Sequence, residues 1–169
     1  MLRTAAREAA IQLGFAVAAT GADPRTAVEE FLEPGHYATL AEESEVFAEK
    51  PSKKDREFIV NSVVGVTEHK AELDELIGRY AHGWRTERIS RSAAAVLRQA
   101  MFEILYMPEI PHAAAINEAV ELSKGYEEPE VVAFINGVLG GFYRSEVEKT
   151  APGEPAAPES AEPAEPADA

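Results

Sequence analysis

The sequence contains no cysteine, a single tryptophan, and sixteen Lys and Arg against thirty Asp and Glu. Without thiols there can be no disulfide, no thiolate metal site and no cysteine nucleophile, which agrees with a cytoplasmic protein. No stretch reaches the ~18 consecutive apolar residues of a membrane span, so no membrane partner is expected. Arg3, Arg7 and Glu8 interrupt the opening segment, which lacks the unbroken apolar region of a signal peptide. No region keeps a period-two alternation, so no sheet is expected. The motifs H-E-x-x-H, G-x-S-x-G and G-x-x-x-x-G-K-[ST] are absent.

Two spacings resemble metal-ligand pairs. Glu33-x-x-His36 and Glu109-x-x-His112 match the carboxylate–histidine pattern of di-metal helix bundles. Pro34 and Pro111 fall inside them, and a proline there breaks the helical face that both ligands would have to share. No metal, no cofactor and no catalytic residue is therefore expected, and the chain reads as a non-enzyme.

The acidic balance bears on partners. The formal net charge is −14. Residues 151–169, APGEPAAPESAEPAEPADA, carry −5 of it and hold seven Ala and five Pro among nineteen residues. Proline at that density prevents helix, and there is little apolar bulk to bury, so this segment is expected to be a disordered acidic tail beyond a folded domain spanning 1–150. The rest is still acidic. A nucleic-acid site must then be a local cationic spot or be completed by a basic partner. An acidic surface also suits a basic protein, through electrostatic steering.

What remains reads as helices packed into one domain or two small halves. Thr4 is expected to cap a first helix reaching about Ala19, with Ala6, Ala10, Leu13 and Val17 on its inner stripe. Asp23-Pro24 predicts a cap followed by proline at the first helical position, and Pro34-Gly35 an end to that short helix. Residues 36–51 read as an acidic connection, pinned by Tyr37, Leu40, Val46 and Phe47. Ser52 with Asp55 resembles a capping box ahead of Phe58, Ile59, Val63 and Val66. Leu73, Leu76, Ile77 and Tyr80 mark a further helix. From Ser92, the residues Val96, Leu97, Ala100, Met101, Ile104 and Leu105 make the cleanest stripe, which predicts a central buried helix. Pro108 and Pro111 bound a tight connection. Gly125 closes the next helix, and Pro129 opens the last, with Val131, Ile135, Val138, Leu139 and Phe142 inward.

Within these last two helices Asn117 and Asn136 interrupt apolar runs. A buried asparagine needs partners or costs about 1–3 kcal/mol. Asn117 and Asn136 either tie helix ends together or, at Asn136, line a ligand surface.

The run RISRSAAAVLRQAMFEILYMPEIPHAAAINEAVELSKGY, followed by VAFINGVLGGF, resembles the C-terminal half of the NusB family of transcription antitermination factors. TAAREAAIQLGF is similar to the family's opening helix. The resemblance spans about residues 3–145. It implies an all-α fold of about seven helices in two packed three-helix bundles. It also implies binding of boxA-type single-stranded RNA of ribosomal leader transcripts, jointly with ribosomal protein NusE, within an RNA polymerase antitermination complex. Some relatives are homodimers, a state the resemblance allows here.

By the same resemblance, RNA-facing residues would be Arg3, Thr4 and Arg7 in the family's arginine-rich opening segment, and Phe134 and Asn136 on the last helix. The arginines would meet phosphates and the ring would stack a base. Read from the residues alone, the arginines also fit a solvated helix start, and Phe134 a core position. Partner-facing residues would be Phe15, alternatively a core ring, and position 93, which is Ala93 here where the family has a charge. Gly140 stands where the family often has aspartate. Some RNA methyltransferases carry a NusB-like domain, but the catalytic cysteine of those enzymes has no counterpart in this sequence. A helical protein–protein adaptor without direct RNA binding is the alternative reading.

Overall fold

The protein is described from a computed structural model, which covers residues 1–83 and 88–149. The expected tail at 151–169 lies outside the described residues. Among these there are eight α-helices and no strand: α1 (Arg3–Thr20), α2 (Pro24–Phe31), α3 (Pro34–Glu43), α4 (Lys53–Glu68), α5 (Lys70–Tyr80), α6 (Arg91–Tyr106), α7 (His112–Ser123) and α8 (Pro129–Phe142). A 3₁₀ turn (Glu45–Phe47) follows α3, and α8 runs on into a π-helical turn (Tyr143–Glu148).

Local chemistry accounts for most boundaries. The carboxylate of Asp23 accepts the backbone N–H of Thr26 at 3.0 Å, and Pro24 occupies the first helical position of α2. Ser52 and Asp55 form the full reciprocal capping box that starts α4. Gly21 closes α1 in the left-handed region, at φ 71°, and its N–H donates to the carbonyl of Val17.

Two boundaries differ from the expectation. Thr4 does not cap α1, because the helix already begins at Arg3 with Leu2 in the cap position. The stretch expected as a plain connection contains α3. Pro34 does not stop the chain there; it starts a new helix, capped by the Glu33 carboxylate, which accepts the N–H of His36 at 2.9 Å. That cap is what the Glu33-x-x-His36 spacing builds. Tyr37 holds the segment down: its ring is buried edge-on against Phe31 and Phe47, and its hydroxyl donates to the carbonyl of Glu49 at 2.8 Å.

Helices α1, α2 and α4 pack together as one bundle, and α5, α6, α7 and α8 as the other. Helix α1 also packs on α6, so a continuous apolar core runs through both halves. Helix α6 is the most enclosed, with Val96, Leu97 and Met101 fully buried, as its stripe predicted. At Gly65 the absent side chain lets α4 meet α6: a Cβ there would lie 2.1 Å from Cζ of Phe102. No helix among the described residues is long and apolar enough to cross a membrane.

Candidate nucleic-acid and partner interface

The start of α1 is placed by contacts with α4, α6 and α7. Arg3 is exposed, and its guanidinium lies over the Phe58 ring of α4, 4.3 Å from the centroid. The Thr4 hydroxyl donates to Glu118 Oε2 on α7 at 2.9 Å. One turn further, Tyr126 donates its hydroxyl to Glu8 at 2.9 Å and accepts from Gln12 at 3.2 Å. Burial, and then the carboxylate of Glu8, push the Tyr126 phenol up to about 12, so it holds its proton and remains a donor.

Arg7 corrects the expectation of an arginine open to phosphate. It is 4% exposed, and its Nε donates to Glu103 Oε1 at 2.8 Å, with Glu118 at 3.8 Å from the guanidinium. Gln99 donates to both Glu103 and Ser62, which completes a buried polar chain from α1 through α6 to α4. Burial pushes the Glu103 carboxyl upward, against the opposing charge of Arg7 and the hydrogen bonds from Arg7 and Gln99. The sequence signal was only a spacing: Arg7 sits among Ala6, Ala9 and Ala10 on the buried stripe.

Phe134 is corrected likewise. It belongs to the hydrophobic core, so its ring face is not offered to a base at the surface. Asn136 and Asn117 are both exposed, so neither carries the cost of an unpaired buried amide. Of the residues expected to face RNA, Arg3, Thr4 and Asn136 lie at the surface.

On the far half of α1, Phe15 is 40% exposed and lines a groove of about 320 Å³ between α1, α5 and α6. Its floor includes Ile77, Ile89 and Ala94, and its polar side is an ionic cluster. Asp74 accepts from Arg98 at 2.6 Å and from Lys70 at 2.9 Å. Burial raises the Asp74 carboxyl, but the hydrogen bonds from Arg98 and Lys70 outweigh it and hold the group below its ordinary value. Ala93 is not part of this surface. It is fully buried, with its N–H donated to the capping Ser90 hydroxyl; its neighbour Ala94 faces the groove. The reading from sequence placed the cap of α4 but did not single out its lysines: Lys50 just before the helix, and Lys53 and Lys54 at its start, are all exposed in the segment that leads to Phe58, on whose ring Arg3 rests. The pattern K-x-x-K-K was the available signal.

The chain is an all-α domain that carries exposed cations at the starts of α1 and α4 and a groove beside Phe15. The chain belongs to the NusB family, whose profile matches residues 4–144. It is similar to the transcription antitermination protein NusB of Symbiobacterium thermophilum, at 37% identity over 144 residues, covering 85% of this chain and 90% of that protein. It is also similar to the NusB of Bacillus cereus (strain B4264), at 38% identity over 140 residues, covering 82% and 95% of the two. Among solved structures, T. maritima NusB matches with a TM-score of 0.70 at 27% identity, over 86% of this chain and 92% of that one. The solution structure of NusB from Aquifex aeolicus shares the fold, with a TM-score of 0.63 at 20% identity, over 92% and 97%.

Proposed function

We propose that this chain is a cytoplasmic transcription antitermination factor. In this reading it binds boxA-type single-stranded RNA of ribosomal leader transcripts together with ribosomal protein NusE, as part of the antitermination complex on RNA polymerase. The observation that carries the reading is the family match across residues 4–144, with relatives that bear the name transcription antitermination protein over nearly their whole length. On this chain, Arg3, Thr4 and Asn136 are the exposed members of the RNA-facing set, and the groove beside Phe15 is the partner-facing surface. The acidic body makes the basic partner important: it supplies the positive charge that this surface has little of.

The burial of Arg7 and Phe134 favours a second reading, a helical adaptor that binds protein without touching RNA. Three titrations separate the two: RNA alone, NusE alone, and both. The antitermination reading expects salt-sensitive binding of boxA RNA that strengthens when NusE is added. Binding of NusE with no preference for boxA over a scrambled RNA, in its presence or absence, leaves the adaptor. Light scattering across the same concentrations reports whether a homodimer competes.

A further inference from the structure

Around the start of α1 the charge is unevenly distributed. On the α7 side a phosphate would meet Glu118, which already accepts from Thr4 at 2.9 Å and lies 3.8 Å from Arg7. On the α4 side the balance is reversed. Lys50 precedes α4, and Lys53 and Lys54 occupy its first two positions; all three are exposed. Among the described residues none of them forms an ion pair, whereas Lys70 and Lys124 are each paired with a carboxylate.

The neighbouring carboxylates are engaged. The α-amino group of Met1 lies 3.2 Å from Glu49 and 3.6 Å from Asp55, and Asp55 also accepts the Ser52 N–H at 2.7 Å. Glu49, although it lies against the α-amino group, and Glu57, one turn along α4, are acidic side chains that stay exposed beside the lysines. The same α-amino group donates to the Lys50 carbonyl at 3.5 Å, so the chain start is held against this segment. Lys54 and Phe58 are four residues apart on α4 and therefore share one flank. Arg3 covers the Phe58 ring, so one helical turn separates Lys54 from the ring on which that guanidinium rests.

We propose that Arg3, Lys50, Lys53 and Lys54 form a single phosphate-binding shelf. It carries the sugar–phosphate backbone of single-stranded RNA from the start of α1 across the start of α4, away from Glu118. The inference rests on the RNA-binding reading above and gives it a path. The Arg3 guanidinium rests over the Phe58 ring and is exposed, so its N–H groups can donate to phosphate. The lysines are mobile point charges, suited to a flexible strand whose phosphates hold no fixed register. On a chain of net charge −14, this shelf is a place where a polyanion is attracted rather than repelled.

The test uses the full chain and a boxA-type RNA oligonucleotide, with and without NusE, over a series of salt concentrations. Each phosphate contact to single-stranded nucleic acid contributes about 0.7 to the slope of log affinity against log salt. The variant K53E/K54E should lose about 1.4 of slope and roughly tenfold or more in affinity at moderate salt. K53Q/K54Q should fall between it and the parent. Positive charge at a helix start is unfavourable and glutamate there is favourable, so removing the lysines in either variant should not lower the melting temperature. The control K124E/K149E makes the same change in net charge elsewhere. An unchanged slope in K53E/K54E, or an equal loss in the control, would overturn the shelf while leaving RNA binding intact. Failure of the parent itself to prefer boxA over scrambled RNA would instead remove the reading beneath it. If K53E/K54E alters capture of an acidic protein and leaves RNA binding unaffected, the shelf serves a protein and the proposal is wrong.

Discussion

The guanidinium of Arg7 on α1 and the carboxylate of Glu103 on α6 meet at 2.8 Å with 4% and 1% of their residues' surface exposed. A pair withdrawn this far from water loses much of its Coulomb gain to desolvation, yet each partner is essential to the other. Arg7→Ala or Glu103→Ala should each cost about 3–5 kcal/mol, because either leaves a buried charge uncompensated. Arg7→Met/Glu103→Leu should be clearly more stable than either single variant. Urea unfolding measures all three, and a double variant no better than the singles would refute the account.

The close approach of α4 to α6 gives a second prediction. Gly65→Ala pushes a methyl group into the Phe102 ring and should destabilise by about 1–3 kcal/mol. Gly137→Ala, on the exposed face of α8 with nothing within 4 Å of the added atom, should stabilise by about 0.5–1 kcal/mol. Opposite signs for the two, read from thermal melts, are the expected result.

Acid stability should depend on Asp55 and Asp74. Burial pushes the Asp55 carboxyl up, but the Ser52 hydrogen bonds and the α-amino group outweigh it, and Asp74 is held down by Arg98 and Lys70. Both folded values lie below the ordinary 3.8 of an aspartate, so the native state binds fewer protons than the unfolded chain in that region. Their contribution is present above about pH 3.8 and is lost as the pH falls through the folded values. Asp55→Asn and Asp74→Asn should lower stability at neutral pH and flatten the acid limb of a stability–pH curve. Glu103 acts in the opposite sense: its raised value favours the fold below its ordinary 4.5 and weakens it as the pH rises through the folded value.

The groove on α1 offers a fourth. Phe15 is 40% exposed, so Phe15→Ala should change stability by less than about 1 kcal/mol. If the groove seats the partner, the same variant should weaken NusE binding by about tenfold or more, as truncation of an aromatic anchor does. Equal NusE affinity for parent and variant, measured by calorimetry, would remove the groove from the partner surface.

Much of the helical frame was legible because its determinants are local. The caps at Asp23 and Ser52, and the stripe on α6, need only neighbours three or four residues away. The site was less legible. Nothing local to TAAREAA says that Arg7 turns inward while Arg3 stays out; that depends on Glu103, ninety-six residues away, lying across the seam. Phe134 and Ala93 turned inward for the same reason: α8 and α6 bury the faces on which they stand. Helix α3 was hidden because Pro34 can end one helix or begin the next, and the Glu33 carboxylate decides between them.

By itself the sequence determined that this chain is helical, rich in negative charge, without thiol chemistry, and of the NusB family, since composition, periodicity and motif residues are properties of the chain as written. Only the tertiary structure decided which charges reach the solvent. Packing α1 against α4 and α6 consumed Arg7 in a buried pair, propped Arg3 on Phe58 and left the α4 lysines exposed. A charge's value to a partner depends on what lies within a few ångströms of it, and that is set by contacts between residues far apart in sequence.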